Sequence, residues 1–151
     1  MNVIDVLEFE EGYREKAYYC SENYPTIGIG TKLGPKGASL SNYEFKVSRE
    51  AAGVLLKDEL RDVTHRLLEH RWYIDMNEDR QAIIKSMAYQ MGYHGLMKFK
   101  NMIAALERKD YSQASRESLD SRWAKQTPAR AERHAAVIGY GSIDQVYEGL
   151  I

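Results

Sequence analysis

The sequence predicts a mainly helical α+β fold, and three observations carry that prediction. Strand-like alternation is confined to residues 15–31, helical spacing of apolar residues runs through most of the chain beyond residue 48, and 151 residues suit one domain or one domain of two unequal lobes. A hydrophobic share of 44% and a charged share of 28% are ordinary globular values, which indicate neither a disordered tail nor a membrane protein. The expectation is a chain with a real core and a small extended segment near its start.

Asn2 is placed to cap a first short helix, with Asp5 near the positive end of its dipole and Gly12 as its C-terminal stop. Val3, Leu7 and Glu11 fall four apart, so a carboxyl shares the apolar face at the last turn, where desolvation and the negative dipole end both favour the neutral acid. Extended segments then read as Lys16–Tyr19 and Tyr24–Thr31, around a polar CSEN turn. Ile27 and Ile29 alternate with Thr26, Gly28 and Gly30, which strips one face of the second strand to backbone and implies close approach by another group. With a turn centred on Glu22 or Asn23, Cys20 and Thr26 project from the same face.

The stretch KLGPKGASLSNYEFK reads as a loop or short third strand. Ser48 is positioned to cap a long helix whose apolar positions, Ala52, Leu55, Leu56, Leu60, Val63 and Leu67, hold their period to about His70. Asn77 caps a further helix ended by Gly92. Helices are then expected over Met102–Arg108, Ser112–Lys125, a Thr127-Pro128 start running to Ile138, and a capping box at Ser142-x-x-Gln145.

No stretch nears the roughly 18 apolar residues a membrane span needs. The N-terminal MNVIDVLEFEEG carries acids where an export leader has a basic head and an apolar centre, so the chain is expected to lack an export route of its own. A single cysteine, Cys20, cannot form an internal disulfide, which suits a reducing cytoplasm. The net charge of −1 argues against strong nucleic-acid binding. Residues 98–135 do carry nine bases against five acids, but without interleaved aromatic platforms; residues 1–30 carry six acids against two bases. The four histidines, 65, 70, 94 and 134, show no metal-ligand spacing, and His65 and His70 read as solvated helix positions; no cofactor is expected.

Glycoside cleavage needs one protonated carboxyl to donate to the leaving oxygen and a second group to activate water or attack the sugar. Glu11 suits the first role; Cys20 and Thr26 offer a thiol and a hydroxyl nine and fifteen residues on. The segment Glu11-Gly12-Tyr13-Arg14-Glu15-Lys16-Ala17-Tyr18 through Tyr24-Pro25-Thr26-Ile27-Gly28-Ile29-Gly30 closely resembles, without a gap, the active-site hairpin of T-even phage lysozymes. The likeness resumes at Gln90-Met91-Gly92, Phe99, Ser121-Arg122-Trp123, Gln126-Thr127-Pro128 and Arg130-Ala131.

The resemblance implies a two-lobed phage-type lysozyme fold in one domain: a β-containing lobe over about 12–47, a connecting helix over 48–70, and a helical lobe of 71–151 plus 1–11. It implies hydrolysis of the bond between N-acetylmuramic acid and N-acetylglucosamine in bacterial peptidoglycan. Glu11 would be the acid, Cys20 the second catalytic group and Thr26 the holder of the water. Glu22 and Arg122 would pair across a substrate cleft, Arg130 would steady Glu11, and Gly30, Lys32, Tyr89, Gln90 and Phe99 would belong to the cleft. The resemblance also implies a monomer made in the host cytoplasm, released by a membrane-pore protein, a holin, and acting at the cell wall without inserting in the membrane.

This chain departs from the T-even pattern at Cys20, where those enzymes carry Asp, and at Thr31, where they carry His. Met102 and Glu117 also replace polar neutral groups. A thiol of ordinary pKa, about 8.5, is mostly neutral near pH 7, and only the thiolate is a good base or nucleophile. Two roles therefore stay open for Cys20. As base for a water on Thr26 it gives inversion, which the resemblance favours; as nucleophile it gives retention. The competing expectations are a wall-binding module that has lost catalysis and a lytic component of a phage tail, the latter disfavoured by the lack of further domains.

Overall fold

The computed structural model describes residues 1–151 and resolves the chain into two compact units. Leu7–Arg61 form the smaller; Met1–Val6 and Asp62–Ile151 form the larger. The chain passes between them inside two helices, α1 (Val3–Glu11) and α2 (Arg49–Leu67).

Helix α1 begins where the sequence places it. The Asn2 side-chain oxygen accepts from the backbone N–H of Ile4 at 2.9 Å and of Asp5 at 3.2 Å, and the Asp5 carboxylate accepts from Asn2 N–H at 2.8 Å, a reciprocal cap. Gly12 stops it, donating to Glu8 carbonyl with a left-handed φ of +69°. The smaller unit then builds an antiparallel sheet of β1 (Arg14–Tyr19), β2 (Pro25–Gly28) and β3 (Thr31–Lys32), in that order. Tyr18 faces Thr26 and Tyr19 faces Pro25, so the turn is centred on Glu22. The segment expected as one strand over Tyr24–Thr31 breaks at Ile29-Gly30, because Gly28 and Gly30 take positive φ and turn the chain back into β3.

The β3 segment leads through a loop and a 3₁₀ turn at Leu40–Asn42 to α2. That loop is tied down by Tyr19, whose hydroxyl donates to Ala38 carbonyl, and by Tyr13, whose hydroxyl donates to Val47 carbonyl at 2.6 Å. Ser48 caps α2 through Ala51 N–H at 3.1 Å. The helix ends at Leu67 rather than at His70. His70 N–H folds back onto Leu67 carbonyl, and its ring stacks on Trp72 and meets Tyr93 hydroxyl at 2.5 Å, so His70 is no solvated helix position. Leu55, expected on the buried stripe, is exposed. The smaller unit is wider than the 12–47 expected, since Leu7, Ala52, Leu56 and Leu60 from the two helices join Ile27, Ile29 and Val47 among its buried residues.

The larger unit continues with α3 (Arg71–Ile74), α4 (Glu78–Met91), α5 (Tyr93–Met97), α6 (Lys100–Glu107), α7 (Tyr111–Leu119), α8 (Arg122–Gln126), α9 (Pro128–Tyr140) and α10 (Ile143–Tyr147). Asn77, Asp110, Ser121 and Ser142 each cap the next helix through a backbone N–H three residues on. The single helix expected over Ser112–Lys125 is two, α7 and α8, because Ser121 breaks it by accepting from Ala124 N–H at 3.1 Å. Helices α3 and α5 are too short to show a period, and the sequence reading missed both.

Val6, Leu67, Ile83, Ile84, Met87, Leu96, Met102, Leu106, Val137 and Ile138 belong to the apolar core of this unit. His134 lies among the buried residues and is wholly enclosed. Burial first, then the charges of Arg130 and Arg133, hold its imidazole well below the ordinary 6.5. Unfolding lets that ring take up a proton once the pH drops below about 6.5, so its contribution to stability is complete above that pH and is lost as pH falls. The expected loss is up to about 1.4 kcal/mol per pH unit. Calorimetry of wild type and His134→Gln between about pH 7.5 and 5 checks this. The variant's melting temperature should fall less steeply with acid, and parallel slopes would contradict the assignment.

Candidate active site

Helix α1 delivers Glu11 at its last residue, half-buried, and the turn between β2 and β3 receives it. A Cβ built on Gly30 would lie 2.9–3.0 Å from the carbon and both oxygens of the Glu11 carboxyl, so the carboxyl rests on bare backbone. The close approach inferred for the glycine face is therefore made by Glu11 at Gly30, and by Ala52 at Gly28, where a Cβ would meet the Ala52 methyl at 3.0 Å.

One carbonyl links the other two predicted catalytic residues. Tyr24 C=O accepts both the Cys20 backbone N–H at 3.0 Å and the Thr26 hydroxyl at 2.8 Å. The Thr26 hydrogen is thereby committed, and its oxygen lone pairs remain to accept from a water. Pairing sets Tyr18, Thr26 and Lys32 in one row across the sheet, with Cys20 opposite Tyr24 in the same alternation. Lys32 lies over the Tyr24 ring at 4.5 Å, a cation–π contact that closes this face. Thr31 faces Ile27 on the other side of the sheet and is buried. Glu22 is exposed at the centre of the hairpin turn.

Tyr18 is a site residue that sequence reading quoted only as part of a motif. Burial raises its phenol's pKa first, the Glu11 charge next, and Cys20 adds to the rise, while Arg14, stacked at 4.4 Å on the ring, lowers it. One aromatic ring thus feels both the acid and the thiol. Its parity with Cys20, the residue that follows β1, was the signal available in the sequence.

The remaining predicted residues belong to the larger unit. Gln90 accepts from the Trp123 indole N–H at 2.8 Å, and Phe99 meets the same indole edge-on at 6.0 Å between centroids. Phe99, Met102, Glu117, Arg122 and Trp123 line a cavity of about 430 Å³. Glu117 is held there by the Gln113 amide at 2.8 Å, and Arg122 is exposed at the start of α8. Tyr89 is buried on α4. Arg130 is buried too, and its guanidinium donates to the Ser86 hydroxyl at 3.1 Å and carbonyl at 3.4 Å. Trp123 and Ser86 went unnoticed as site residues in the sequence, since neither a helical indole nor a helical serine announces its partner. No group of three His, Cys, Asp or Glu side chains is arranged to hold a metal ion.

The profile of the family described as phage lysozyme matches residues 8–136. The chain is 30% identical to the pre-baseplate central spike protein Gp5 of Enterobacteria phage T4 over 95% of its own length, and spans 28% of that protein. It is 26% identical to probable T4-type lysozyme 1 of Dictyostelium discoideum, covering 95% of this chain and 96% of the relative. Probable T4-type lysozyme 2 of the same organism is 25% identical over 93% and 95% of the two chains.

The Gly30 contact gives a paired test. Gly12 and Gly30 both hold positive φ, +69° and +73°, but a Cβ at Gly12 meets nothing within 4 Å. Gly12→Ala should cost only backbone strain of about 1–2 kcal/mol. Gly30→Ala adds displacement of the Glu11 carboxyl and should lower wall-hydrolysis rate at least about tenfold further, as expected when a reacting group is misplaced. Melting temperatures and initial rates of both variants check it.

Proposed function

The chain belongs to the phage lysozyme family and is a lysozyme-type peptidoglycan hydrolase, and we propose that it cleaves the bond between N-acetylmuramic acid and N-acetylglucosamine with Glu11 as general acid. The observation that carries the proposal is the Glu11 carboxyl packed on Gly30, in the turn that ends the strand of Thr26, with Cys20 and Thr26 joined through the Tyr24 carbonyl. Glu11 gives its proton to the glycosidic oxygen as the bond to the anomeric carbon breaks. The Cys20 thiolate takes a proton from a water whose other hydrogen is accepted by Thr26, and that water attacks the opposite face of the sugar, inverting the anomeric centre. In this reading Glu22, Gly30 and Lys32 of the smaller unit serve the glycan, as do Tyr89, Gln90, Phe99, Arg122 and Arg130 of the larger one.

Delivery follows the same reading: a monomer made in the host cytoplasm, released through a holin pore, and lysing the host from the periplasm. A second reading is supported by the likeness to Gp5, in which 95% of this chain aligns with 28% of a pre-baseplate central spike protein. In that case the same hydrolytic fold works as the lytic part of a tail. Immunodetection in purified virions against cleared lysate separates the two, since a tail component co-purifies with particles and a free endolysin stays in solution.

Glu11→Gln should lower turbidity loss of outer-membrane-permeabilised bacteria by on the order of a thousandfold. Loss of the thiol by alkylation or Cys20→Ser should also silence the enzyme, while Cys20→Asp, which restores a carboxylate, should retain activity and make it insensitive to alkylation. An unimpaired Ser variant would remove Cys20 from the mechanism. A chain that binds walls without clearing any suspension would instead be a binding module. Anomer-resolved NMR of the first product decides the stereochemistry, and a retained anomer would show Cys20 acting as nucleophile.

A further inference from the structure

Arg130 and His134 stand one helical turn apart on α9 and converge on a single hydroxyl. Arg130 donates to Ser86 Oγ at 3.1 Å, His134 Nε2 lies 2.7 Å from the same oxygen, and His134 Nδ1 lies 3.1 Å from the Tyr147 hydroxyl. All four groups belong to the larger unit. A guanidinium only donates, so Ser86 Oγ accepts from Arg130. The arrangement that gives every group a role has the Ser86 hydrogen on His134 Nε2 and the Nδ1 hydrogen on Tyr147. The donors then run in one direction, Arg130 to Ser86 to His134 to Tyr147, and require a neutral ring in one tautomer.

Protonating Nε2 would point two donors at Ser86 Oγ, leave the serine hydrogen without its acceptor and set a second cation one turn from the guanidinium. Helix α4 presents Ser86, α8 presents the Trp123 ring at 5.9 Å and α10 presents the Tyr147 phenol; the charges acting on the ring are those of Arg130 and Arg133 on its own helix.

We propose that His134 is a positioning residue for Arg130: the neutral imidazole orients the Ser86 hydroxyl, which fixes the plane of the guanidinium. This rests on the reading that Arg130 serves the hydrolytic reaction, and it adds what aims Arg130. Acid that protonates the ring releases the guanidinium.

The test combines kinetics on a soluble wall glycan with NMR of the Arg130 side chain in the full-length protein, using wild type, Ser86→Ala, His134→Phe, His134→Gln and Arg130→Lys. In wild type the two terminal nitrogens of Arg130 should give separate signals, as a held guanidinium does, and those signals should merge on acidification. Ser86→Ala and His134→Phe should merge them at neutral pH and lower kcat about tenfold with KM within about twofold. Glutamine carries an acceptor and a donor but does not titrate, so His134→Gln should keep separate signals at acid pH and near-wild-type kcat.

Separate signals and unchanged kcat in both Ser86→Ala and His134→Phe would overturn the proposal. So would a His134→Gln variant that behaves like His134→Phe, which would make His134 a packing residue. Ser86→Ala keeps the test open if His134→Phe fails to fold. Full activity of Arg130→Lys would sink the role of Arg130 in the reaction, while the NMR comparison still reports whether His134 fixes the guanidinium.

Discussion

The rest of the smaller unit is arranged around a carboxyl resting on a residue with no side chain. Glu11 reaches Gly30 because α1 stops at Gly12, one residue after the acid, and because Gly30 turns β2 into β3 with a positive φ. Either change, a longer helix or a side chain at Gly30, moves the acid. The sheet is small, three strands with only two residues in the last, so it cannot hold its shape through ladder hydrogen bonds alone. It relies on Ile27 and Ile29 being buried, on Ala52 fitting against Gly28, and on tyrosine hydroxyls that fasten the loops.

Cys20 and Thr26 are coupled by a different device. The Tyr24 carbonyl takes one hydrogen from the backbone of the first and one from the side chain of the second. The thiol's place is thus set by backbone pairing, which does not depend on whether the side chain is Cys or Asp. The hydroxyl's donor is spent inside the hairpin, so what it offers a reacting water is an acceptor. In the proposed mechanism, a thiol in the place of a carboxylate changes the chemistry of the base without changing the geometry that presents it.

The larger unit solves the opposite problem, placing polar groups inside an apolar core. Ser86, Arg130, His134 and Tyr147 are linked in one chain of polar contacts among helices whose neighbours are Ile, Leu, Val and Met. Buried polar groups are costly when half satisfied and rigid when fully connected. In the sequence these residues stand at positions 86, 130, 134 and 147 with no shared motif, and nothing near His134 sets it apart from the other histidines.

The sequence by itself determined which residues start and stop most helices, because a cap is a bond between neighbours: Asn2, Ser48, Asn77, Ser142, Gly12 and Gly92 could all be read in place. It determined the parity that sets Cys20 and Thr26 on one face, since alternation along a strand is local, and the ungapped hairpin motif carried the family. Tertiary structure alone decided where strands and helices break. Tyr24–Thr31 became two strands and Ser112–Lys125 two helices, because a turn or a cap at Gly30 and Ser121 won over a pattern compatible with continuation. It alone decided that Gly30 yields to a carboxyl rather than to an apolar group, that Leu55 faces outward, and that His134 is neutral. Burial and partnership depend on residues far away in the chain, and periodicity, which sees only near neighbours, has no term for them.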